Sequence, residues 1–246
     1  MTAPLKSSFR TIGMLGGMGP AATALTFEYI IRQTRASKDD EHIPMLIYNL
    51  PQIPDRTAAI LGEGPSPVPA ISHGLQILQR GMVDFVIIPC NTAFYFYPQF
   101  VASTKVPIVH IAMPIVRELQ KSAEGNRKIG VLSTTGTQRS NVYSDLLAHF
   151  GFKPLLSAEN RQADVMEAIR AIKAGRIDVV ESILHAAEDL VKSGADTVIL
   201  ACTELSLLYD SLVPRLPVLD STRCLANAAI AVASKQRDIS DFVLQI

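Results

Sequence analysis

The sequence has no surplus of either charge and no basic cluster. Lys plus Arg and Asp plus Glu number 23 each. That balance argues against a nucleic-acid partner and against binding to an anionic membrane surface. No apolar run reaches the roughly 18 residues of a membrane span. The opening "MTAPLKSSFR" lacks the apolar stretch of a secretion leader. These absences lead to the expectation of a soluble, cytoplasmic protein. Cysteine is also scarce. Cys90, Cys202 and Cys224 are too few and too far apart for a disulfide scaffold or a metal cluster, so no metal is expected. In a reducing compartment all three should be thiols.

What the chain does have is apolar material in short, regularly placed runs. It has 246 residues, 48% of them hydrophobic and 19% charged, enough for a sizeable core. The runs are "TIGMLG" (11–16), "MLIYNL" (45–50), "DFVIIPC" (84–90), "PIVHIA" (107–112), "KIGVLS" (128–133), "TVILAC" (197–202) and "PVLDS" (217–221). Helical patterns lie between them at 20–36, 57–80, 139–150 and 162–193. Strands alternating with amphipathic helices imply an α/β fold with parallel sheets. Runs that are apolar throughout predict strands covered on both faces. "GEGPSPVP" (62–69) is the one Pro/Gly-rich loop.

The chain also repeats itself. "LQRGMVDFVIIPCNT" (78–92) lines up with "LVKSGADTVILACTE" (190–204), placing Asp84 over Asp196 and Cys90 over Cys202. "TIGMLGGMG" (11–19) lines up with "KIGVLSTTG" (128–136), and "VPIVHI" (106–111) with "LPVLDS" (216–221). Three blocks in one order, at nearly constant offsets, predict two pseudo-symmetric α/β halves. The division expected is 1–114 with 222–246, carrying Cys90, and 115–221, carrying Cys202. Ligands of such sheets bind beyond the carboxyl ends of the strands, so both cysteines should face one crevice between the halves.

The segment "GMLGGMGPAAT" (13–23) fits the glycine spacing of a dinucleotide loop. The acidic residue expected at the end of the next strand is missing, because that run ends in Asn49-Leu50. Pro20 also removes an N–H from any anion nest. A small carboxylate is the better expectation, with Gly16, Gly17 and Gly19 allowing close backbone approach and Met18 lining the pocket.

Each matched cysteine ends a strand and precedes polar residues: Cys90-Asn91-Thr92 and Cys202-Thr203-Glu204. Free N–H groups at such a turn favour a thiolate, although a buried structural cysteine is the plain alternative. Two thiols across a pseudo-symmetric cleft suit inversion at carbon: one removes a proton and the other returns one on the opposite face. Nucleophilic catalysis would want a histidine beside a cysteine, and His42, His73, His110, His149 and His185 are not adjacent to one in sequence. Of these, His110 follows a strand and could point into the cleft. Cys224 has no repeat partner and reads as structural.

"GMLGGMGPAAT", "PQIPDRT", "PCNTAFYF", "IKAG" and "ACTEL" together resemble the aspartate/glutamate racemases that work without pyridoxal phosphate, and "CNT", "CTE" and "PDRT" resemble their aspartate branch. The resemblance covers nearly the whole chain. It implies two flavodoxin-like halves with the active-site cleft between them, no cofactor, a homodimer, and interconversion of L- and D-aspartate. Cys90 and Cys202 would be the acid/base pair, Cys202 serving the L-isomer and Cys90 the D-isomer. Arg56 would grip the side-chain carboxylate, flanked by Asp55 and Thr57, with Lys173 as a second cation. Asn91, Thr92 and Thr203 would serve the α-carboxylate. Ser133, Thr135 and Thr137 belong to a hydroxyl-rich turn that would do the same. Glu204 would assist Cys202 or simply sit in the first turn of a helix. The chain departs from the family pattern at Phe94, where His is common, at Ala201 before Cys202, and at Leu50. Those departures bear on which side chain is recognised. Rival expectations are glutamate or broad-specificity racemisation, a hydantoin racemase, a maleate isomerase or malonate decarboxylase, and a non-catalytic binder of acidic amino acids.

Overall fold

The first apolar run, Ile12–Gly16 (β1), is buried along its whole length and forms the centre of a parallel sheet. On one side it pairs with Met45–Asn49 (β2) and on the other with Phe85–Ile87 (β3). The computed structural model describes residues 8–121 and 127–244. Most of the leader reading, which concerned residues 1–10, therefore lies outside the described residues. The second half repeats the arrangement with Lys128–Ser133 (β4), Lys153–Leu156 (β5), Thr197–Ala201 (β6) and Val218–Asp220 (β7), in the order β5-β4-β6-β7 and parallel throughout.

The sequence repeat has direct structural counterparts. Asp84 and Asp196 occupy equivalent places at the starts of β3 and β6. The backbone N–H of Asp84 donates to Thr11 O and that of Asp196 to Lys128 O. Their carboxylates accept in return from Thr11 N and Lys128 N. Each aspartate thus fixes the entry of its half's central strand, at the sheet end away from the cysteines. Val86 N donates to Pro107 O just as Val198 N donates to Pro217 O.

Two runs depart from the simple reading. "PIVHIA" is not a full strand. It contributes one bridge, Val86 to Ile108, and then leaves the sheet, His110 N donating to Phe242 O instead. β2 is only partly buried, because it is the sheet's outer strand. β5 was not anticipated. It is a short outer strand containing Pro154, and prolines in sheets are confined to such edges.

The helices are Pro20–Gln33 (α1), Arg56–Leu61 (α2), Val68–Arg80 (α3), Tyr97–Phe100 (α4), Ala112–Leu119 (α5), Thr135–Arg139 (α6), Val142–His149 (α7), Glu159–Lys173 (α8), Val180–Lys192 (α9), Tyr209–Leu212 (α10) and Ser221–Ala233 (α11). The expected helices at 57–80 and 162–193 are each broken in two. Gly62 at φ 77° and Gly175 at φ 82° turn the chain out of the helix. Among the described residues no helix is long and apolar enough to cross a membrane. Helix α11 packs on α1 and α5. One apolar core runs between the halves, joining Met14, Leu15 and Ile87 to Ile129, Val131, Leu147 and Ile199. A second, around Val165, Leu184 and Leu200, belongs to the second half alone.

Candidate active site

Parallel strands deliver their loops to one side, and there the two halves meet around a small cavity. The first half contributes Met18 after β1, Asp55, Arg56 and Thr57 at the start of α2, and Cys90, Asn91 and Thr92 after β3. The second half contributes Thr134 after β4, Lys173 at the end of α8, and Cys202, Thr203 and Glu204 after β6. The cavity volume is about 10 Å³, room for a single water-sized sphere. Cys90 and Cys202 are both free thiols, one from each half, and are 5% and 4% exposed.

At Cys202 the thiol donates to Glu204 Oε2 over 3.1 Å. Burial pushes this thiol well above its ordinary pKa, the Glu204 charge pushes in the same direction, and Lys173 partly opposes them. At Cys202 this shift runs against the thiolate that turn amides would favour. Desolvation and a neighbouring carboxylate outweigh a few backbone dipoles. These surroundings favour the thiol form of Cys202, with the Glu204 carboxylate already hydrogen-bonded to it.

On the Cys90 side, Asn91 Nδ2 donates to Ser221 Oγ at 3.0 Å, and the Tyr143 hydroxyl donates to Asn91 Oδ1. Thr92, Thr134 and Thr137 form a triangle of hydroxyls with edges of 2.9, 2.9 and 3.1 Å. Thr134 is the N-cap of α6, its side chain accepting from Thr137 N. Thr203 Oγ1 donates to Pro89 O across the boundary between the halves.

Arg56 is 7% exposed. Its Nη1 donates to Ile53 O at 3.0 Å and to Pro54 O at 2.8 Å. Its Nε is buried and has no hydrogen-bond partner among the described residues. An arginine next to an aspartate in sequence ordinarily has an ion pair open to it. Asp55 instead uses its carboxylate to cap α2, accepting from Ala58 N. The guanidinium is thus anchored by one nitrogen, with its Nε unfilled, on the wall of the cavity. Lys173 is exposed at the last turn of α8.

Comparison with known proteins gives this geometry a family. The model of the Asp/Glu/hydantoin racemases matches residues 15–229. The chain belongs to that family. It is 29% identical to the broad specificity amino-acid racemase RacX of Bacillus subtilis, covering 89% of this chain and 96% of the relative. It is 30% identical to the glutamate racemase of Corynebacterium glutamicum, covering 64% of this chain and 60% of that protein. Among solved structures, the Picrophilus torridus aspartate racemase superimposes with a TM-score of 0.82 at 29% identity, covering 96% of this chain and all of the other. The two flavodoxin-like halves expected from the sequence are the fold of these racemases.

Several candidates lie elsewhere in this racemase. Thr135 faces away from the cavity wall, its N–H donating to Met166 Sδ and its hydroxyl accepting from Gln162. The neighbouring Thr134 takes its place, because the cap of α6 points inward while the first helical residue turns outward. In the glycine loop, Gly16 and Gly17 pack against Thr23 and Leu50, whereas a Cβ at Gly19 would lie 3.2 Å from Oε1 of the cavity-lining Glu204. A Cβ at Gly16 would lie 2.3 Å from Thr23 Cγ2, and one at Gly17 (φ 97°) 2.3 Å from the Leu50 carbonyl carbon. Gly17 N is already committed to Thr23 Oγ1. Of that segment, Met18 is the residue that reaches the cavity. His110 and Phe94 lie against each other, with ring centroids 4.7 Å apart, in a separate cavity. Burial lowers the His110 pKa to about 3, so the ring is neutral. Cys224 sits on α11, where burial raises its pKa. Sequence reading missed Thr134, Tyr143 and Ser221. Thr134 was one position from a residue named and Ser221 closed a repeat block without being read as functional, whereas Tyr143 carried no signal, because only the packing of α7 brings it to Asn91.

Proposed function

We propose that this racemase interconverts L- and D-aspartate without a cofactor, by proton transfer between substrate and two cysteines. One sulfur, as thiolate, takes the α-proton from one face. The electron pair left behind is held as an enediolate-like carboxylate. The other sulfur, as thiol, returns a proton to the opposite face, and the reverse reaction exchanges the roles. Atoms balance within the site, and each turnover leaves the thiol and thiolate interchanged.

The observation that carries the reading is a buried guanidinium with an unpartnered Nε, on the wall of a cavity that also receives one cysteine from each half. A guanidinium edge suits a carboxylate oxygen pair. Arg56 takes the side-chain carboxylate, with Lys173 adding charge and Met18, Asp55 and Thr57 shaping that end. Asn91, Thr92, Thr134 and Thr203 surround the α-carboxylate, where negative charge grows in the transition state. Glu204 takes the Cys202 proton to form the thiolate that attacks the L-isomer, and Cys90 serves the D-isomer. The family resemblance supports a homodimer in the cytoplasm. Sedimentation velocity tests the first part and fractionation the second.

The deciding experiment incubates the purified protein with L-aspartate in D2O. The expected result is loss of the α-proton signal in the NMR spectrum, with D-aspartate appearing on a chiral column. Cys90→Ala and Cys202→Ala should each lower racemisation on the order of 10²–10⁴-fold while melting cooperatively. Exchange on L-glutamate or L-alanine at rates matching L-aspartate replaces aspartate by the wider specificity of the Bacillus subtilis relative. A single-cysteine variant with near-normal turnover in both directions overturns the two-thiol scheme.

A further inference from the structure

The turn bearing Cys90 and Asn91 is held by a chain of buried hydrogen bonds that the proton transfer itself does not use. Tyr143 reaches it from α7 in the second half and is 2% exposed. Its hydroxyl donates to Asn91 Oδ1. Burial, then the charges of Cys224, Asp220 and Cys202, raise the phenol well above its ordinary pKa. The hydroxyl therefore keeps its proton. Ser221, the first residue of α11, donates its own proton to Leu200 O over 2.8 Å. Its oxygen can then accept from Asn91 Nδ2 at 3.0 Å. One neighbour of the amide needs an acceptor and the other needs a donor. With the Ser221 proton on Leu200 O, one flip of the Asn91 side chain satisfies both. In that flip Ser221 receives one of the two N–H groups of Nδ2, and the second is uncommitted on a residue that lines the cavity.

We propose that Tyr143 is a positioning residue for the reaction, locking the Asn91 amide in the flip that offers its second N–H to the cavity beside Cys90. The inference rests on the racemase reading, in which that N–H meets the substrate α-carboxylate. With the tyrosine hydroxyl gone, Asn91 Oδ1 is buried without a donor, and the amide gains a reason to rotate. The rotated amide would present oxygen to a carboxylate, and the donor would be lost as charge develops.

The test is a double-mutant cycle of Tyr143→Phe and Asn91→Ala. It is read twice: in kcat and KM for L-aspartate, and in the Kd for succinate. Tyr143→Phe removes one atom, and its melting temperature should stay within a few degrees of the parent. The expected loss in kcat is on the order of tenfold, with KM changing less. The decisive figure is the coupling. Because Tyr143 acts through Asn91, the double variant should be no slower than Asn91→Ala alone. Losses that multiply, or an unchanged kcat in Tyr143→Phe, overturn the positioning role and leave the racemase reading standing. A parent protein that racemises nothing yet shows a coupled cycle for succinate retires the reaction and keeps the role of Tyr143. A parent that neither racemises nor binds succinate overturns both.

Discussion

In the proposed reaction the Arg56 guanidinium is the side chain on which recognition turns. Nη1 is fixed by two backbone carbonyls, and Nε is buried without a partner among the described residues. A lysine at this position keeps the charge but presents a point donor on a flexible stem, without the planar fork. Arg56→Lys is therefore expected to raise KM for L-aspartate on the order of tenfold or more, with a smaller change in kcat. Steady-state kinetics measures both. A variant with parental KM would mean that the substrate's second carboxylate binds elsewhere, with Lys173 the next residue to change. Cys202 makes a related point. Its sequence neighbours pointed to a thiolate, but the folded surroundings favour the thiol form, hydrogen-bonded to Glu204. Sequence names the neighbours along the chain, whereas burial sets which of their effects dominates.

Between elements, α6 lies close against α2 beside the site. A Cβ on Gly136 would lie 2.8 Å from Thr57 Oγ1, 3.0 Å from Thr57 Cα and 3.1 Å from Thr92 Cγ2. One of those atoms is backbone, so relief requires the two helices to separate. Gly136→Ala should cost roughly 1–3 kcal/mol, outweighing the ~1 kcal/mol that alanine gains over glycine within a helix. It should also raise KM, since Arg56 begins the displaced helix. Urea unfolding and kinetics on one preparation check the pair of effects, and a stabilised variant with parental KM would show that α2 yields freely. Most elements were legible from periodicity. The breaks at Gly62 and Gly175 and the outer strand β5 were not, because a helical pattern continues across a turn and a short edge strand leaves little apolar signal.

For the molecule as a whole, two pseudo-equivalent buried groups shape the response to pH. His110 and Asp220 are aligned in the repeat, and burial shifts both. His110 falls from the usual 6.5 to about 3. Below about 6.5 the unfolded chain binds a proton that the folded chain refuses, so His110 drains stability as pH falls toward 3. Asp220 rises from 3.8 to about 6, chiefly through burial, against hydrogen bonds from Ser206, Thr222 and Arg223. Between those values the folded chain keeps a proton that the unfolded chain has lost, so Asp220 drains stability as pH rises. From about pH 4 to 6 the two slopes oppose each other. Asp220→Asn removes one of them. The variant should lose stability relative to the parent on acidification through that window, by on the order of 1 kcal/mol per pH unit. Urea titrations at several pH values measure this, and parallel curves for parent and variant would refute it.

The amino-acid order by itself determined the two matched halves and the chemistry brought to their cleft. Strand-forming runs, turn residues and the polar neighbours of Cys90 and Cys202 are local features, and local propensity and hydrophobic period act along the chain. Tertiary structure alone decided which of those groups meet. It chose Thr134 over Thr135, turned the glycine loop inward onto Leu50 and Thr23, sent His110 to a cavity of its own, and brought Tyr143 and Ser221 to Asn91. Those outcomes depend on the angle at which helices pack and on which groups lose water, and both are fixed only when segments distant in sequence come into contact.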